Sequence, residues 1–220
     1  MVMANGAISP TIIGDTQTLV GSPSAIVPTA TEPLLTSFDT STTLNNAVGT
    51  NSTSTPYRVG NNVTMVAYAL ITTTTDELWF LGYTDTALSS SLIPGAPGTV
   101  TGINGVGFSW CSSSGTFCNG GTGDTTNFQC ATNNGGTTWN RVSTGVAADT
   151  SLHKFEIFMD DTNSRVTFKI DGNSVCSSPI STQYPTSTTL MKFELGMKQG
   201  NNVVAKKTRL AVSIMESDIP

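Results

Sequence analysis

The stretch from His153 to Val175, HKFEIFMDDTNSRVTFKIDGNSV, decides the fold. Phe155, Ile157 and Met159 alternate with Glu156, Phe158 and Asp160, and Val166, Phe168 and Ile170 alternate with Thr167, Lys169 and Asp171. Alternation with a period of two on both sides of a polar turn predicts two half-buried antiparallel strands. Asp160-Asp161-Thr162-Asn163-Ser164 supplies the first reversal. Asp171-Gly172-Asn173 supplies the second, through a turn that favours positive φ. Strands of this kind cover a core and present no reactive group. They predict a β-sandwich used for binding or assembly, not an enzyme.

Composition agrees with one large β-domain. The chain has 220 residues, of which only 11% are charged, against about 25% in ordinary soluble domains. Thr, Ser, Asn and Gly take the place of charge, and they suit strands and turns better than helices. The net charge is −5, unevenly spread: residues 1–140 carry seven acidic groups and one basic group, Arg58. No basic cluster has the footprint of a nucleic-acid site. Lys206-Lys207-Thr208-Arg209 reads as a strand edge guarded by lysine. No stretch approaches the roughly 20 apolar residues of a membrane span. Met1 to Gly6 lacks the basic and apolar regions of a signal peptide, so synthesis in a cytosol is expected.

Reactive constellations are sparse. Cys111, Cys118, Cys130 and Cys176 lack metal-ligand spacing, and one histidine completes no zinc set. The expectation for a reducing cytosol is four free thiols, with a small Cys111–Cys118 clip across the intervening loop as the alternative, and no metal or cofactor. Glu156 and Asp160 share a strand face, but four residues at strand rise separate them by about 13 Å. A retaining glycosidase places its two carboxyl groups about 5–5.5 Å apart. His153 reads as a surface residue near a turn.

Residues 1–36 differ from the rest. Pro10, Pro23, Pro28 and Pro33 exclude a helix and interrupt any central strand. Ile12, Ile13, Leu19, Val20, Ile26, Val27, Leu34 and Leu35 are nonetheless too apolar for a solvated linker. The segment reads as an extended arm, lying either on its own domain or on a neighbouring subunit. Residues 37–220 read as the sandwich itself. Strands are expected around Val63–Ile71, Glu77–Tyr83, Val106–Trp110, Phe128–Thr132 and Thr137–Val142, and in MKFELGMK and TRLAVSIM. Asn133-Asn134-Gly135-Gly136 turns one hairpin.

The order of a Gly-Phe strand, an Asn-Gly-Gly hairpin, HKFEIFMD and VTFKIDGN resembles the concanavalin A-like (lectin/glucanase) jelly roll of structural proteins in tailed bacteriophages. That resemblance implies an all-β antiparallel sandwich over roughly residues 60–216. It also implies a capsid decoration (cement) protein on the virion surface. The implied partners are the major capsid protein and other copies of the chain, as a homotrimer. The rival implication is a module of a tail fibre or tailspike that binds a host surface glycan. Lectin sites set an aromatic ring among amide side chains. Trp139 with Asn133, Asn134 and Asn140 fits that description, whereas Trp79 and Trp110 sit in apolar strands and read as core.

Overall fold

The computed structural model describes residues 15–20, 24–26, 36–39, 47–52, 57–75, 77–86, 102–112, 125–137, 139–163, 165–179, 184–199, 207–216 and 218. In chain order the strands are β1 (Asp15–Val20), β2 (Ser24–Ile26), β3 (Thr36–Asp39), β4 (Ala47–Ser52) and β5 (Tyr57–Arg58). After a 3₁₀ turn at Val59–Asn61 come β6 (Thr64–Ile71), β7 (Glu77–Thr84), β8 (Asn104–Cys111), β9 (Asn127–Asn134) and β10 (Asn140–Ala147). The remainder are β11 (His153–Asp160), β12 (Arg165–Ile170), β13 (Asn173–Pro179), β14 (Leu190–Gln199) and β15 (Lys207–Glu216).

These strands form two antiparallel sheets. The eight-stranded sheet runs β1-β4-β14-β7-β8-β9-β10, with β5 also paired to β14. The seven-stranded sheet runs β13-β12-β11-β6-β15-β3-β2. The hairpin read from the sequence is present: Phe155 pairs with Ile170, Ile157 with Phe168 and Met159 with Val166. Its turn is closed by Asp160, whose carboxylate accepts the Asn163 backbone N–H at 2.9 Å. The following reversal places Asp171 at φ 52° and Gly172 at φ 81°, the left-handed region such a turn requires.

Between the sheets, alternate side chains meet in one core. Phe155 lies at its centre, with ring centroids 5.2 Å from Trp79, 5.0 Å from Phe108 and 5.1 Å from Phe128. Trp79 and Trp110 are both buried there, as their strands predicted. A buried indole N–H needs an acceptor, and Trp79 Nε1 finds one in Thr208 Oγ1 at 3.0 Å. Thr208 belongs to β15, which lies between β6 and β3. The expectation that Lys206 to Arg209 marks a sheet edge is therefore corrected: that strand is interior, and Thr208 is fully buried.

The described parts of residues 1–36 are strands of both sheets. Leu19 and Val20 end β1, paired with Val48 and Ala47, and Ile26 ends β2, paired with Ser37. Ile12, Ile13, Val27, Leu34 and Leu35 lie outside the described residues.

The expectation of free thiols is overturned. Cys130 and Cys176 are joined in a disulfide across 46 residues, and Cys111 is disulfide-bonded as well. Cys130 is in β9 of one sheet and Cys176 in β13, at the edge of the other. Spacing in the chain gave no sign of this bond, because the sandwich brings together two positions that are remote in sequence.

Candidate functional site

A sheet in a two-layer sandwich ordinarily shows one face to water. The middle of the eight-stranded sheet is buried on both faces. Every residue of β7 is buried, and in β8 and β9 all but the ends are. Trp79, Leu81 and Tyr83 of β7, Val106, Phe108 and Trp110 of β8, and Phe128 and Cys130 of β9 belong to the core. Their intervening neighbours therefore line the second face.

Register turns that face into rows across the strands. One row runs Glu194, Gly82, Gly107, Ala131, Arg141. A second runs Gly196, Phe80, Ser109, Gln129, Ser143, and a third runs Lys192, Thr84, Gly105, Asn133. The first row is a trough in side-chain height: glycine, glycine and alanine lie between a carboxylate and a guanidinium, and the Phe80 ring lies over its middle at Gly107. Four inter-strand steps make it about 19 Å long.

Aromatic rings shape the trough. A methyl group on Gly107 would strike the Phe80 ring, and one on Gly105 would strike the indole of Trp139. Phe80 and Trp139 meet edge to face, with centroids 5.8 Å apart. Polar atoms face the same side. Ser109 Oγ, Trp139 Nε1 and Arg141 Nε are buried and have no hydrogen-bond partner. Burial lowers the affinity of the Arg141 guanidinium for its proton below the ordinary arginine range. Glu194 is fully buried in this face.

Of the candidates read from sequence, Trp139 belongs to this face. Asn133 does too, but its side chain is occupied: Oδ1 accepts the Gly136 N–H at 3.1 Å, and Nδ2 donates to the Gly136 carbonyl at 3.3 Å. Those bonds build the β9–β10 turn. Asn134 is exposed at the end of β9, and Asn140 pairs with Thr132, on the alternate side of β10 from Arg141. The structure thus sets Trp139 against Phe80, on the face that also carries Ser109, Arg141 and Glu194, none of which the sequence reading singled out. Glu194 carried a signal, since it stands between the apolar residues Phe193 and Leu195. Arg141 carried one too, as only the second basic residue of the chain.

The seven-stranded sheet holds the carboxylates that the sequence reading weighed for catalysis. Glu156 sits on its outer face, 2.9 Å from Lys154 Nζ and paired in register with Lys169. His153 is not a surface residue, which corrects the expectation. It is buried, with Nδ1 2.7 Å from Asp171 and Nε2 3.2 Å from Asp149. Its ring also packs against Phe128 and Phe155. Both nitrogens are spent on holding the start of β11 to the flanking turns.

No family model matches the chain, and no curated protein matches it. Solved structures do. Apo Crh5 transglycosylase superposes with a TM-score of 0.61 at 14% identity, covering 99% of this chain and 83% of that one. A β-glucanase of Bacillus licheniformis gives 0.59 at 15% identity, covering 98% and 95%. A glycoside hydrolase family 16 endo-glucanase from Bacteroides ovatus gives 0.62 at 10% identity, covering 92% and 94%. At these identities the likeness establishes the concanavalin A-like jelly roll and nothing finer. It does correct the expectation that such a chain is not an enzyme, because all three of these similar sandwiches are enzymes of glycan chemistry. The sequence reading had weighed only the carboxylates of β11, in the other sheet, where Glu156 is tied to Lys154.

Proposed function

We propose that this protein binds and processes a polysaccharide laid across the second face of its eight-stranded sheet. One observation carries the reading: three buried polar atoms without partners, on Ser109, Trp139 and Arg141, share that face with two aromatic rings. Buried polar groups are nearly always satisfied, so such a set marks a place where a ligand supplies the missing bonds. A polyhydroxylated ring stacked on an aromatic side chain provides both the apolar surface and the donors and acceptors. Glucanase and transglycosylase sandwiches of the same fold support a glycan over other ligands. Glu194, at the end of the trough, is the carboxyl group placed to move a proton.

The capsid-surface role, the homotrimer and the capsid partner expected from the phage resemblance have no observation among the described residues behind them. Glycan binding is the part of the rival expectation retained here.

Affinity electrophoresis through gels cast with neutral and acidic polysaccharides tests binding, and release of new chain ends tests processing. Retardation by at least one polysaccharide is expected, with turnover lost in Glu194→Gln while retardation persists. Unretarded migration through every gel would sink the reading.

A further inference from the structure

We propose that the bound glycan is anionic, and that Arg141 receives its carboxylate or sulfate group. This rests on the polysaccharide reading above and names the chemical class of its ligand. A guanidinium removed from water is costly unless it is paired, and in folded proteins it normally is. Arg141 is partly buried, and among the described residues it has no such pair. Its Nε is buried without a partner.

The backbone of Arg141 is fixed by strand register. Arg141 pairs in register with Ala131, and Gly107 lies one strand further in the same row. Within the row only Ala131 stands between Arg141 and Gly107, and the Phe80 ring lies over Gly107. Glu194 cannot serve as counter-ion, because about four strand spacings, roughly 19 Å, separate the two positions. The trough therefore has a cationic end on β10 and an acidic end on β14. A chain bearing anionic groups is placed by the first and oriented by the second. Guanidinium matches the paired oxygens of a carboxylate or sulfate group with parallel hydrogen bonds, which lysine cannot reproduce.

The experiment is calorimetric titration of the full chain with polygalacturonate, dextran sulfate and a neutral β-glucan, for wild type, Arg141→Gln and Arg141→Lys. Tighter binding of one polyanion than of the neutral glucan is expected, and which polyanion binds distinguishes carboxylate from sulfate. Arg141→Gln should weaken that binding by about tenfold to a hundredfold, and weaken any neutral-glucan binding by less. Arg141→Lys should fall between, and it decides the matter if the glutamine variant misfolds. Because the unpaired charge costs stability, Arg141→Gln should melt no lower than wild type, unlike a residue with a purely structural role. Equal affinity for neutral and anionic chains, or undiminished polyanion binding by both variants, would overturn the inference while leaving the polysaccharide reading intact. Failure to bind any of the three would remove both.

Discussion

Trp139 illustrates how one side chain serves packing and recognition together. Its ring fills the hollow over Gly105 and meets Phe80, while its N–H is left without an acceptor. Trp139→Ala should therefore lower stability by about 2–4 kcal/mol, at or below the range for truncating a fully buried aromatic, and weaken glycan binding as well. Denaturant unfolding and affinity electrophoresis on the same variant check the two effects. A loss of binding without loss of stability would mean that the ring is not packed as described. His153 makes the opposite case, a histidine whose contacts are all internal. Burial pushes the carboxyls of Asp149 and Asp171 up. Backbone N–H bonds from Ser151 and Lys154, together with His153, outweigh it and hold both below the usual aspartate range. A lowered folded-state pKa means stability present above the unfolded value of about 3.9 and lost as pH falls through the folded one. The melting temperature should thus drop as pH falls below about 4, and less steeply in Asp171→Asn. Parallel profiles for the two proteins would refute that role.

At the scale of strands, legibility depended on how many faces a strand shows. The β11–β12 hairpin was readable to the residue because one face is core and the other polar, so period two is printed in the sequence. Strand β7 read as central because it is apolar on both faces. The second face of its sheet was not readable. Its row from Glu194 to Arg141 joins five strands whose order differs from chain order, and no single strand reveals it. Only Trp139 and Asn133 were visible, a tryptophan among polar residues and an asparagine of its hairpin turn. The short strands β1 and β2 lie among the prolines of the segment read as an extended arm. The glycines of the trough offer a test at this scale. Gly107→Val would press on the Phe80 ring and the Leu81 carbonyl, and overpacking of this kind costs about 1–3 kcal/mol. Chemical denaturation should show that loss, and an unchanged midpoint would mean that Phe80 does not lie over Gly107.

Across the whole molecule, the Cys130–Cys176 bond ties the two sheets together beside β10, the strand that carries Arg141. Closing a loop of 46 residues restricts the unfolded chain enough to stabilise the fold by about 4 kcal/mol. Replacing both cysteines by alanine should lower unfolding free energy by an amount near that value, and the reducing agent that destabilises the native protein should leave the double variant unaffected apart from any effect at Cys111. A disulfide of this kind belongs with oxidising surroundings, at odds with the free thiols expected from the sequence. The central claim, however, is that the second face of the eight-stranded sheet is where a glycan binds. The three tryptophans report on it separately. The indole N–H of Trp79 donates to Thr208 and that of Trp110 to the Thr125 carbonyl, while that of Trp139 has no partner. The most direct measurement is a ¹⁵N-edited spectrum of the indole region, titrated with acidic oligosaccharides. Movement of the Trp139 resonance, with those of Trp79 and Trp110 in place, is the predicted result; saturable binding that leaves Trp139 unmoved would contradict the account.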